Sequence, residues 1–491
     1  MRLEKLIENI HYIKKIGEDK EILSLSTDSR TCGENSLFIC LKGTHADAHK
    51  YAEEAIRKGA VGLVVERELS LMTDIAQIVV KDTREAVGLL ASAFYLFPSK
   101  DLKIVGITGT NGKTTTSYML ASILEKAEKR VGVIGTLGVK YAGKTFPLEL
   151  TTPDPIELHK ILADMLIHNI EYVIMEVSAH AIYYKKIVGI DFTACIFTNL
   201  TQDHLDFFET MERYRQTKMQ LFSSQNAPIA ILNGDDETGR KIERARENNV
   251  VKTVFYGLNT PSEAFAVVTN ETLYGVEGML NINDKLCRIS LSMTGRHNVY
   301  NALAAATCAV ELGIPIGKVG EGLNALAQVC GRLERIGNLN GAEIYVDFAH
   351  TPDGLEKSLN ALKQHCKGRL IGLFGCGGNR DKSKRSQMGE IAARCADFTV
   401  LTSDNPRYED PLDIISEIEK GYRHFSVRYV VVPDRSRAIE YAMDFLKKGD
   451  VLLVAGKGGE EYQEIMGIKY PFNDKDIIEK ILKLKGNNPL A

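Results

Sequence analysis

The chain alternates between short runs of consecutive apolar residues and longer stretches in which apolar residues recur at helical spacing. After the first hundred residues, turn-forming or polar residues bound such runs at 102–107, 131–134, 172–175, 194–197 and 229–232. Strands that are apolar throughout are typical of a parallel sheet covered by helices on both faces. The pattern predicts an α/β fold.

The pattern also divides the chain. A segment of about 100 residues comes first, long enough for a small α/β domain, with strand-like runs at 36–41 and 60–66 and a helix-like stretch, 51–58, between them. A less regular, β-rich stretch spans 250–293, and helices follow to about 328.

A second alternation follows a hinge-like segment at 331–335, and each of its strands precedes a turn and a helical stretch, as in a Rossmann-like unit. Its strand-like runs are 344–347, 370–374, 398–401, 429–432 and 451–454. We therefore expect three domains, at 1–100, 101–331 and 332–491.

A glycine-rich turn lies between the run at 102–107 and a helix-like stretch at 117–126. It reads Gly106-Ile-Thr-Gly109-Thr-Asn-Gly112-Lys113-Thr114-Thr115. Backbone N–H groups at such a turn cradle phosphates, Lys113 can reach the outer phosphates, and the Thr114 hydroxyl can bind Mg²⁺. Ile107 stands where the usual spacing has its first glycine, so the loop is a variant. The sequence predicts binding of a nucleoside triphosphate.

Composition limits the partners and the compartment. The 491 residues carry a net charge of −3, with 44% hydrophobic and 25% charged residues, so we expect no nucleic-acid partner. The nine cysteines form no CxxC pair, which argues against a disulfide framework or structural zinc. We find no signal peptide and no apolar stretch long enough to span a bilayer, and we expect a cytoplasmic protein.

Two residues at predicted strand ends are candidates for the phosphate site. Glu176 ends one strand, where P-loop enzymes place a carboxylate for Mg²⁺, and His204 follows the next strand. Taken singly, a glutamate at a strand end is usually solvated and a lone histidine usually structural.

Taken in order, several segments resemble the Mur ligase family of ATP-dependent, amide-forming enzymes. They are Gly109-Thr-Asn-Gly-Lys-Thr-Thr115, Glu176-Val-Ser178-x-His180, Thr198-Asn199-Leu-x-x-Asp203-His204-Leu-Asp206, Asn233-x-Asp235-Asp236, Gly295-x-x-Asn298-x-x-Asn301-Ala302 and Gly331-Arg332. The resemblance covers the central and C-terminal domains, and it implies ATP as a substrate and Mg²⁺ as the cofactor.

The resemblance also implies roles for individual residues. The ATP-binding residues would be Gly109, Thr110, Asn111, Gly112, Lys113, Thr114, Thr115, His297, Asn298, Asn301 and Arg332. The Mg²⁺ ligands would be Thr114, Glu176, His204 and Lys218, with Lys218 carried as a carbamate (N6-carboxylysine), an anionic oxygen ligand that a hard cation prefers. The catalytic set would be Lys113, Glu176, His204, Lys218, Arg332 and His350.

Asp404-Asn405-Pro406-Arg407 directly follows a predicted strand, where open α/β sheets bind ligands. Alone it could be an ordinary Asn-Pro turn; within the family it resembles the signature of members that add meso-diaminopimelate. A guanidinium can grip the second carboxylate of that amino acid, whereas lysine has no such group. Further contacts to the amino acid would come from Arg380, Gly456 and Glu460.

The acceptor implied by the resemblance is UDP-N-acetylmuramoyl-L-Ala-D-Glu, a precursor of peptidoglycan. Its contacts would come from Ser29, Asp47, His49, Thr151, Thr152, Ser178, Tyr184 and Lys186. ATP would phosphorylate the D-Glu carboxylate, and the amine of meso-diaminopimelate would then attack the acyl phosphate. We expect a monomer with small-molecule substrates only.

Several positions depart from the family pattern. They are Ala179, Tyr184, Lys186, Phe348, Asn379 and Gly459. Lysine in place of an arginine at 186 keeps the charge but loses the two-pronged grip. These changes bear on substrate affinity and strictness.

Other functions remain open at this stage. A ligase that adds L-lysine is the nearest alternative, and Arg407 argues against it. Folylpolyglutamate synthetases share the chemistry and a similar phosphate loop, but they lack a preceding UDP-binding domain. A simple NTPase would need no amino-acid pocket, and a catalytically inactive ATP-binding homologue would be expected to lose residues such as Lys113 and Glu176 first.

Overall fold

The computed structural model describes residues 1–43, 46–223, 227–246 and 252–485. Each of the three expected domains therefore includes residues outside the described ranges: 44–45 in the first, 224–226 and 247–251 in the second, and 486–491 in the third. The first two residues of the predicted β-rich stretch, 250–251, are among them. Contacts divide the chain into two compact units. The first is Met1–Gly106, Lys129–Cys195 and Gln225–Pro228, and the second is Ile107–Glu128, Ile196–Ser224 and Ile229–Ala491.

The helices within the described ranges are α1 (Leu3–Ile7), α2 (Ala52–Arg57), α3 (Thr83–Phe94), α4 (Lys113–Lys126), α5 (Pro155–Ile167), α6 (Ala179–Tyr183), α7 (Leu205–Phe208), α8 (Met211–Met219), α9 (Glu237–Ala245), α10 (Arg296–Glu311), α11 (Ile316–Ala325), α12 (Pro352–Lys363), α13 (Ser383–Cys395), α14 (Pro411–Glu419), α15 (Arg435–Asp444) and α16 (Asp474–Leu484). Side-chain caps fix several helix starts. Asp82 accepts hydrogen bonds from the N–H groups of Arg84 and Glu85, and Thr351 accepts one from Gly354, which satisfies donors that a helix start leaves open.

The strands are β1 (Tyr12–Ile16), β2 (Ser24–Ser26), β3 (Ser36–Ile39), β4 (Ala60–Val65), β5 (Ala76–Val80), β6 (Lys103–Thr108), β7 (Val131–Gly135), β8 (Gly138–Tyr141), β9 (Lys144–Phe146), β10 (Tyr172–Glu176), β11 (Phe192–Phe197), β12 (Ile229–Asn233), β13 (Lys252–Gly257), β14 (Ala264–Thr272), β15 (Gly275–Ile282), β16 (Lys285–Leu291), β17 (Glu334–Leu339), β18 (Ala342–Asp347), β19 (Leu370–Phe374), β20 (Phe398–Leu401), β21 (Arg428–Val431), β22 (Val451–Ala455), β23 (Tyr462–Ile465) and β24 (Ile468–Pro471). Every strand expected from an apolar run is present, which confirms the predicted α/β class.

The first unit contains a five-stranded sheet in the order β1-β5-β4-β3-β2, in which only the β1–β5 pair is antiparallel. Helices α1 and α3 pack on one face of it, with Leu3, Leu6 and Leu90 fully buried. The same unit pairs β10 with β7 in parallel, and β7 continues into the antiparallel strands β8 and β9.

The second unit contains the β-rich stretch expected from the sequence. Strand β12 pairs with β13 and β13 with β14 in parallel, whereas β14, β15 and β16 form an antiparallel meander. Helices α10 and α11 follow, as predicted.

The C-terminal sheet, in the same unit, has the order β17-β18-β22-β19-β20-β21, and all its pairs are parallel except β17–β18. Strand β19 is buried on both faces: Leu370 and Phe374 belong to one hydrophobic core, and Ile371 and Leu373 belong to the other. Alternate residues of a strand point to opposite faces, so the continuous apolar runs are explained.

Two features of this region differ from expectation. Strand β17 begins at Glu334, inside the segment that we interpreted as a hinge. The predicted helix directly after β22 is wrong, because the antiparallel hairpin of β23 and β24 lies between β22 and α16.

The nine cysteines all lie in the described ranges and are free thiols; Cys330 is exposed, Cys32 and Cys366 are half-buried, and the others are buried. Within the described ranges, no helix combines the length and apolar character needed to cross a membrane.

Candidate active site

The phosphate loop has the predicted strand–turn–helix form. It follows β6, and α4 begins at Lys113 rather than at the expected residue 117. Gly109 and Gly112 have positive φ angles of 151° and 88°. A Cβ atom would lie 1.9 Å from Thr198 Oγ1 at Gly109 and 2.4 Å from Asn301 Oδ1 at Gly112. Both positions therefore require glycine, and these glycines supply the turn flexibility although Ile107 replaces the usual first glycine.

Two lysines donate to the same backbone oxygen of this loop. The Nζ atoms of Lys113 and Lys218 each lie 2.9 Å from the Gly109 carbonyl oxygen, and Lys113 also donates to the Thr110 carbonyl. Lys218, on α8, is almost fully buried, with Nζ 4.7 Å from the centre of the Tyr214 ring.

The electrostatic setting of Lys218 favours its neutral amine. Burial, reinforced by the charge of Lys113, holds the pKa of Lys218 well below its ordinary value, although Asp203 opposes this effect. A neutral amine is the form that reacts with CO₂, so the site suits the carbamate that the resemblance implied.

Asp203 lies at the centre of a group of basic side chains. Its carboxylate oxygens are 3.2 Å from His204 Nε2, 3.7 Å from His350 Nε2 and 3.6 Å from Lys384 Nζ. Burial works against its ionisation, but the interaction with His350 and the nearby charges keep the pKa of Asp203 well below its ordinary value. The structure thus brings together two predicted residues, His204 and His350, around a carboxylate to which we had given no role.

Arg332 contacts the phosphate loop from the C-terminal part of the chain. Its Nη2 atom donates to Thr114 Oγ1 at 2.9 Å, and its guanidinium lies 4.3 Å from the centre of the Phe348 ring. Asn111 Nδ2 donates to Asp353 Oδ2 at 2.8 Å. The loop residues Thr110 and Thr115 are buried beside these groups.

The residues expected near adenine lie at the start of α10. Asn298 donates to the Thr294 carbonyl and accepts from Asn301 Nδ2, so both amides brace the helix behind Gly112. Burial, helped by the charge of Lys357, lowers the pKa of His297 to about 4, against the effect of Asp353. His297 is therefore neutral at physiological pH.

Glu176 is buried at the end of β10, in the first unit. Its carboxylate accepts hydrogen bonds from Thr136 N at 3.0 Å and from Thr136 Oγ1 at 3.1 Å. Thr136 Oγ1 also lies 3.2 Å from Thr151 Oγ1, and Thr152 Oγ1 donates to the Glu176 carbonyl. Ser178 N donates to Thr152 Oγ1. These contacts bring Thr151, Thr152 and Ser178 together with Glu176.

Tyr184 and Lys186 follow the short helix α6 in the same unit. The Arg84 guanidinium lies 4.6 Å from the centre of the Tyr184 ring, and Lys186 Nζ lies 2.7 Å from Asp154 Oδ1. Lys186 therefore already pairs with the segment that contains Thr151 and Thr152.

The predicted UDP-binding residues make close contacts within the N-terminal part. Asp47 accepts from the His49 backbone N–H and lies 2.5 Å from His49 Nδ1, while His49 Nε2 accepts from Glu66 N. Burial opposes ionisation of Asp47, but hydrogen bonds from His49 and Arg67 lower its pKa to about 2. Ser29 Oγ donates to Glu54 Oε2. These hydrogen bonds hold the side chains of Ser29, Asp47 and His49 in place.

The segment 404–407 lies beyond the carboxyl end of β20, as expected for a ligand-binding turn. Arg407 has a positive φ of 54°; its Nε atom donates to Glu464 Oε2 at 3.0 Å and its Nη1 atom to the Gly378 carbonyl at 2.8 Å. The carbonyl oxygen of Pro406 lies close to the backbone of Gly378, since a Cβ atom at Gly378 would be only 1.9 Å from it. Arg380, also expected here, is exposed.

Hydrogen bonds to both polar atoms of the Asn405 side-chain amide fix its orientation. Its Nδ2 atom donates to Glu460 Oε2 at 2.9 Å, and its Oδ1 atom accepts from Lys457 Nζ and from Glu464 N. Lys457 also donates to Glu460 Oε2 and is fully buried. At Gly456, where φ is 114°, a Cβ would lie 2.4 Å from Asp404 Oδ2. The structure thus joins Asp404, Asn405, Gly456 and Glu460 in one network.

Sequence reasoning missed several residues of these sites. They are Thr136, Asp203, Lys384, Lys457 and Glu464. Asp203 stood inside a segment that we had quoted, and Lys457 directly follows Gly456, which we had named, whereas Thr136 and Glu464 are recognisable only from the partners that the fold gives them. Among the described residues, no group of three or more His, Cys, Asp and Glu side chains is arranged to hold a metal ion.

Three family models match the chain. The Mur ligase middle domain matches residues 107–309, the glutamate ligase domain of Mur ligases matches 331–458, and the model described as Mur ligase family, catalytic domain, matches 21–95.

Curated relatives match over nearly the full length. Proteins named UDP-N-acetylmuramoyl-L-alanyl-D-glutamate–2,6-diaminopimelate ligase from Caldanaerobacter subterraneus and Clostridium acetobutylicum are each 40% identical, covering 98% of this chain and 99% of the relative. The protein of that name from Bacillus velezensis is 39% identical over 97% of this chain and 98% of its own.

Solved structures agree in fold. One of a UDP-N-acetylmuramoyl-L-alanyl-D-glutamate–2,6-diaminopimelate ligase has a TM-score of 0.69 and 29% identity, covering 95% of this chain and 96% of its own. A MurF ligase from Thermotoga maritima in complex with ADP has a TM-score of 0.62 at 21% identity, covering 94% and 97%. A folylpolyglutamate synthase from Mycobacterium tuberculosis has a TM-score of 0.64 at 16% identity, covering 83% and 96%.

Proposed function

Because the chain belongs to the Mur ligase family of ATP-dependent, amide-forming enzymes, we propose that it joins meso-2,6-diaminopimelate to UDP-N-acetylmuramoyl-L-Ala-D-Glu. The reaction would consume ATP, release ADP and phosphate, and supply the tripeptide precursor of peptidoglycan. The names of the full-length relatives support this choice of substrates.

The observation that carries the proposal is the guanidinium of Arg407. It lies beyond the carboxyl end of β20, where open parallel sheets bind ligands, and it is held at Nε and Nη1. A fixed guanidinium suits the second carboxylate of a diamino dicarboxylic acid. Lysine would leave the remaining N–H groups of this guanidinium without an acceptor, and such a loss discriminates strongly between substrates.

The remaining contacts proposed for the amino acid surround that guanidinium. They are Arg380, Asp404, Asn405, Pro406, Gly456 and Glu460. The network of Asn405, Lys457 and Glu460 supports this assignment, because it holds the Glu460 carboxylate against Asn405 of the segment 404–407, and a carboxylate suits an ammonium group.

For ATP we propose the residues of the phosphate loop, from Gly109 to Thr115, together with His297, Asn298, Asn301 and Arg332. The backbone N–H groups at the start of α4 suit phosphate oxygens. Lys113 and Arg332 would balance the charge that develops when the γ-phosphoryl group passes to the D-Glu carboxylate. The hydrogen bond from Arg332 to Thr114 supports a role at the phosphates.

For Mg²⁺ we propose Thr114, Glu176, His204 and a carbamylated Lys218. The donor set fits a hard cation, since it offers hydroxyl, carboxylate and carbamate oxygens beside one imidazole. Bound Mg²⁺ would neutralise phosphate charge. The burial of Glu176 and Lys218 supports the assignment, because such groups are rarely buried without a functional or structural partner.

The second step would form the amide. The amine of meso-diaminopimelate attacks the acyl carbon, the tetrahedral intermediate collapses, and the phosphate leaves with the former carboxylate oxygen. His350, which contacts Asp203, would lie beside this centre. Exclusion of water by the C-terminal domain would protect the acyl phosphate from hydrolysis.

For the acceptor we propose Thr151, Thr152, Ser178, Tyr184 and Lys186 at the muramyl peptide. Ser29, Asp47 and His49 would lie at the UDP group. We assign these roles to three domains, at 1–100 for UDP, 101–331 for ATP and 332–491 for the amino acid; the family models at 21–95 and 107–309 fall within the first two ranges, and the model at 331–458 begins one residue before the third. We further propose a cytoplasmic monomer, in keeping with the nine free cysteines.

The test is phosphate release from ATP in the presence of UDP-N-acetylmuramoyl-L-Ala-D-Glu, with either meso-diaminopimelate or L-lysine and with the product mass confirmed. We expect a tripeptide only with meso-diaminopimelate. Arg407→Lys should lower kcat/KM for meso-diaminopimelate by about a hundredfold, because lysine lacks the two-pronged grip.

Arg428→Lys, at the exposed start of β21, is the matched control and should behave as wild type. A preference for L-lysine would overturn the choice of amino acid while leaving the ligase chemistry. Absence of turnover with either amino acid would favour an inactive ATP-binding homologue.

A further inference from the structure

The hairpin of β23 and β24 is attached to the amino-acid segment 404–407 by several hydrogen bonds, three of which involve Glu464. Its backbone N–H donates to Asn405 Oδ1 at 2.9 Å, its carbonyl accepts from Arg407 N at 3.0 Å, and its Oε2 atom accepts from Arg407 Nε at 3.0 Å. Met466 N donates in turn to the Arg407 carbonyl at 2.7 Å. The hairpin thus holds the backbone and the side chain of Arg407.

The guanidinium is restrained on two sides. Glu464 occupies Nε, and the Gly378 carbonyl occupies Nη1. The side chains of Arg407 and Glu464 are 18% and 22% exposed, so solvent weakens the pair less than it would at an open surface. Within the described part of the chain, Nη2 of Arg407 has no protein acceptor and stays available to a ligand.

The backbone of Arg407 adds a third restraint. Its φ of 54° is unfavourable for a residue with a side chain, and it is retained by the hydrogen bonds on both sides of the residue. A Cβ atom at Gly377 would lie 2.9 Å from Nη1, so the absence of a side chain at Gly377 leaves room for the guanidinium.

We propose that Glu464 is a positioning residue that sets specificity: it fixes the Arg407 guanidinium so that its remaining N–H groups meet the second carboxylate of the amino-acid substrate. This inference rests on the proposed function and adds to it the device that keeps Arg407 in place.

An opposite role for Glu464 is physically possible and predicts the opposite result. A carboxylate already bound to Arg407 could compete with the substrate carboxylate, and its removal would then strengthen binding. The position of Glu464 at Nε, with Nη2 left available, favours positioning over competition.

The test is Glu464→Gln, which keeps the shape and removes the charge. We expect KM for meso-diaminopimelate to rise about tenfold while kcat stays within about twofold and KM for ATP is unchanged. The ratio of kcat/KM for meso-diaminopimelate to that for L-lysine should fall by about the same factor. Glu464→Asp, which keeps the charge on a shorter side chain, should fall between the two.

Two further variants make the result specific. Glu461→Gln, an exposed glutamate just before β23, is the matched control and should leave every constant unchanged. In an Arg407→Lys background, Glu464→Gln should change KM by less than about twofold, because coupled residues do not contribute additively.

Each outcome is decisive. A lower KM in Glu464→Gln would show competition and overturn the proposal, and an unchanged KM and selectivity in a folded Glu464→Gln protein would show that Glu464 only supports the hairpin. If the wild-type protein makes no tripeptide with either amino acid, the proposed function is wrong, and the role proposed for Glu464 is wrong as well. If Glu464→Gln does not fold, the selectivity of Glu464→Asp decides.

Discussion

The carbonyl oxygen of Gly109 accepts hydrogen bonds from two lysines, and these lysines have different surroundings. Lys113 begins α4 and is half-buried, whereas Lys218 is almost fully buried on α8. Two ammonium groups on one carbonyl would repel each other, and burial already disfavours the charge on Lys218. A carbamate on Lys218 would keep one N–H that donates to the Gly109 carbonyl, and its negative charge would attract the ammonium group of Lys113.

We therefore expect Lys218 to carry one molecule of bound CO₂. In protein prepared with ¹³C-labelled bicarbonate, NMR should detect a carbamate carbon in wild type but not in Lys218→Arg, and Lys218→Arg should lose at least about a hundredfold in kcat. Lys126→Arg, at the exposed end of α4, is the control. A fully active Lys218→Arg enzyme without the carbamate signal would contradict this expectation.

At the scale of elements, a buried arginine joins two helices to the turn that carries Arg407. Arg385, on α13, donates to both carboxylate oxygens of Glu409 and to Glu417 on α14. Only 1% of its side chain is exposed. The turn therefore takes its position from α13 and α14 as well as from β20.

This junction should make stability depend on acid pH. Hydrogen bonds from Arg385 lower the pKa of Glu409 to about 2, against the effect of burial, whereas an unfolded glutamate titrates near 4.3. The stabilisation is thus complete above about pH 4.3 and is lost as the pH falls toward 2.

Glu409→Gln should lower the free energy of unfolding at pH 7 by about 1 kcal/mol after solvent screening, and the difference from wild type should shrink between pH 4.3 and 2. Urea unfolding at a series of pH values measures both. Glu390→Gln, exposed on α13, should stay within about 0.5 kcal/mol. A difference that does not depend on pH would assign the effect to packing.

At the scale of the whole molecule, side chains of the second compact unit connect the phosphate loop and the residues after β11 with the C-terminal part of the chain. Arg332 donates to Thr114. Gln202 Nε2 donates to Ser383 Oγ at 3.0 Å and to Asp381 Oδ2 at 3.3 Å. These contacts lie between residues of proposed ATP chemistry and those of proposed amino-acid binding.

Weakening the contacts of Gln202 should uncouple phosphorylation of the D-Glu carboxylate from formation of the amide. We expect Gln202→Ala to release more phosphate than tripeptide, because water would reach the acyl phosphate before the amine. The measurement is the ratio of phosphate to product, near one in wild type. Gln216 is exposed on α8 and its Nε2 atom donates to Glu212 Oε1 at 3.1 Å, so Gln216→Ala should keep the wild-type ratio. Equal ratios in the two variants would argue against coupling through Gln202.

The sequence predicted the strands that are apolar throughout, because burial on both faces leaves a continuous run such as 370–374. It did not predict β17 or the hairpin of β23 and β24, whose strands mix polar and apolar residues and are partly exposed. The phosphate loop was predictable because the residues that form it are consecutive in the sequence. The Arg407–Glu464 pair was not, since 57 positions separate the partners.

The residues that depart from the family pattern also have neighbours that only the three-dimensional structure reveals. Phe348 packs under the guanidinium of Arg332, and a Cβ atom at Gly331 would lie 2.1 Å from the backbone nitrogen of Gly459. Two changes that are 111 positions apart by residue number (459 − 348) thus adjoin the same Gly331-Arg332 pair.

The exposed thiol of Cys330 directly precedes that pair, while the other cysteines are buried or half-buried. Burial of its sulfur and the charge of Glu334 raise the pKa of Cys330, so a maleimide dye supplied in limiting amount at mildly alkaline pH would use the accessibility of this thiol and place a fluorescent reporter at the junction of the proposed ATP-binding and amino-acid-binding domains. Its emission could then be followed during a single turnover in the native sequence, with no cysteine added or removed.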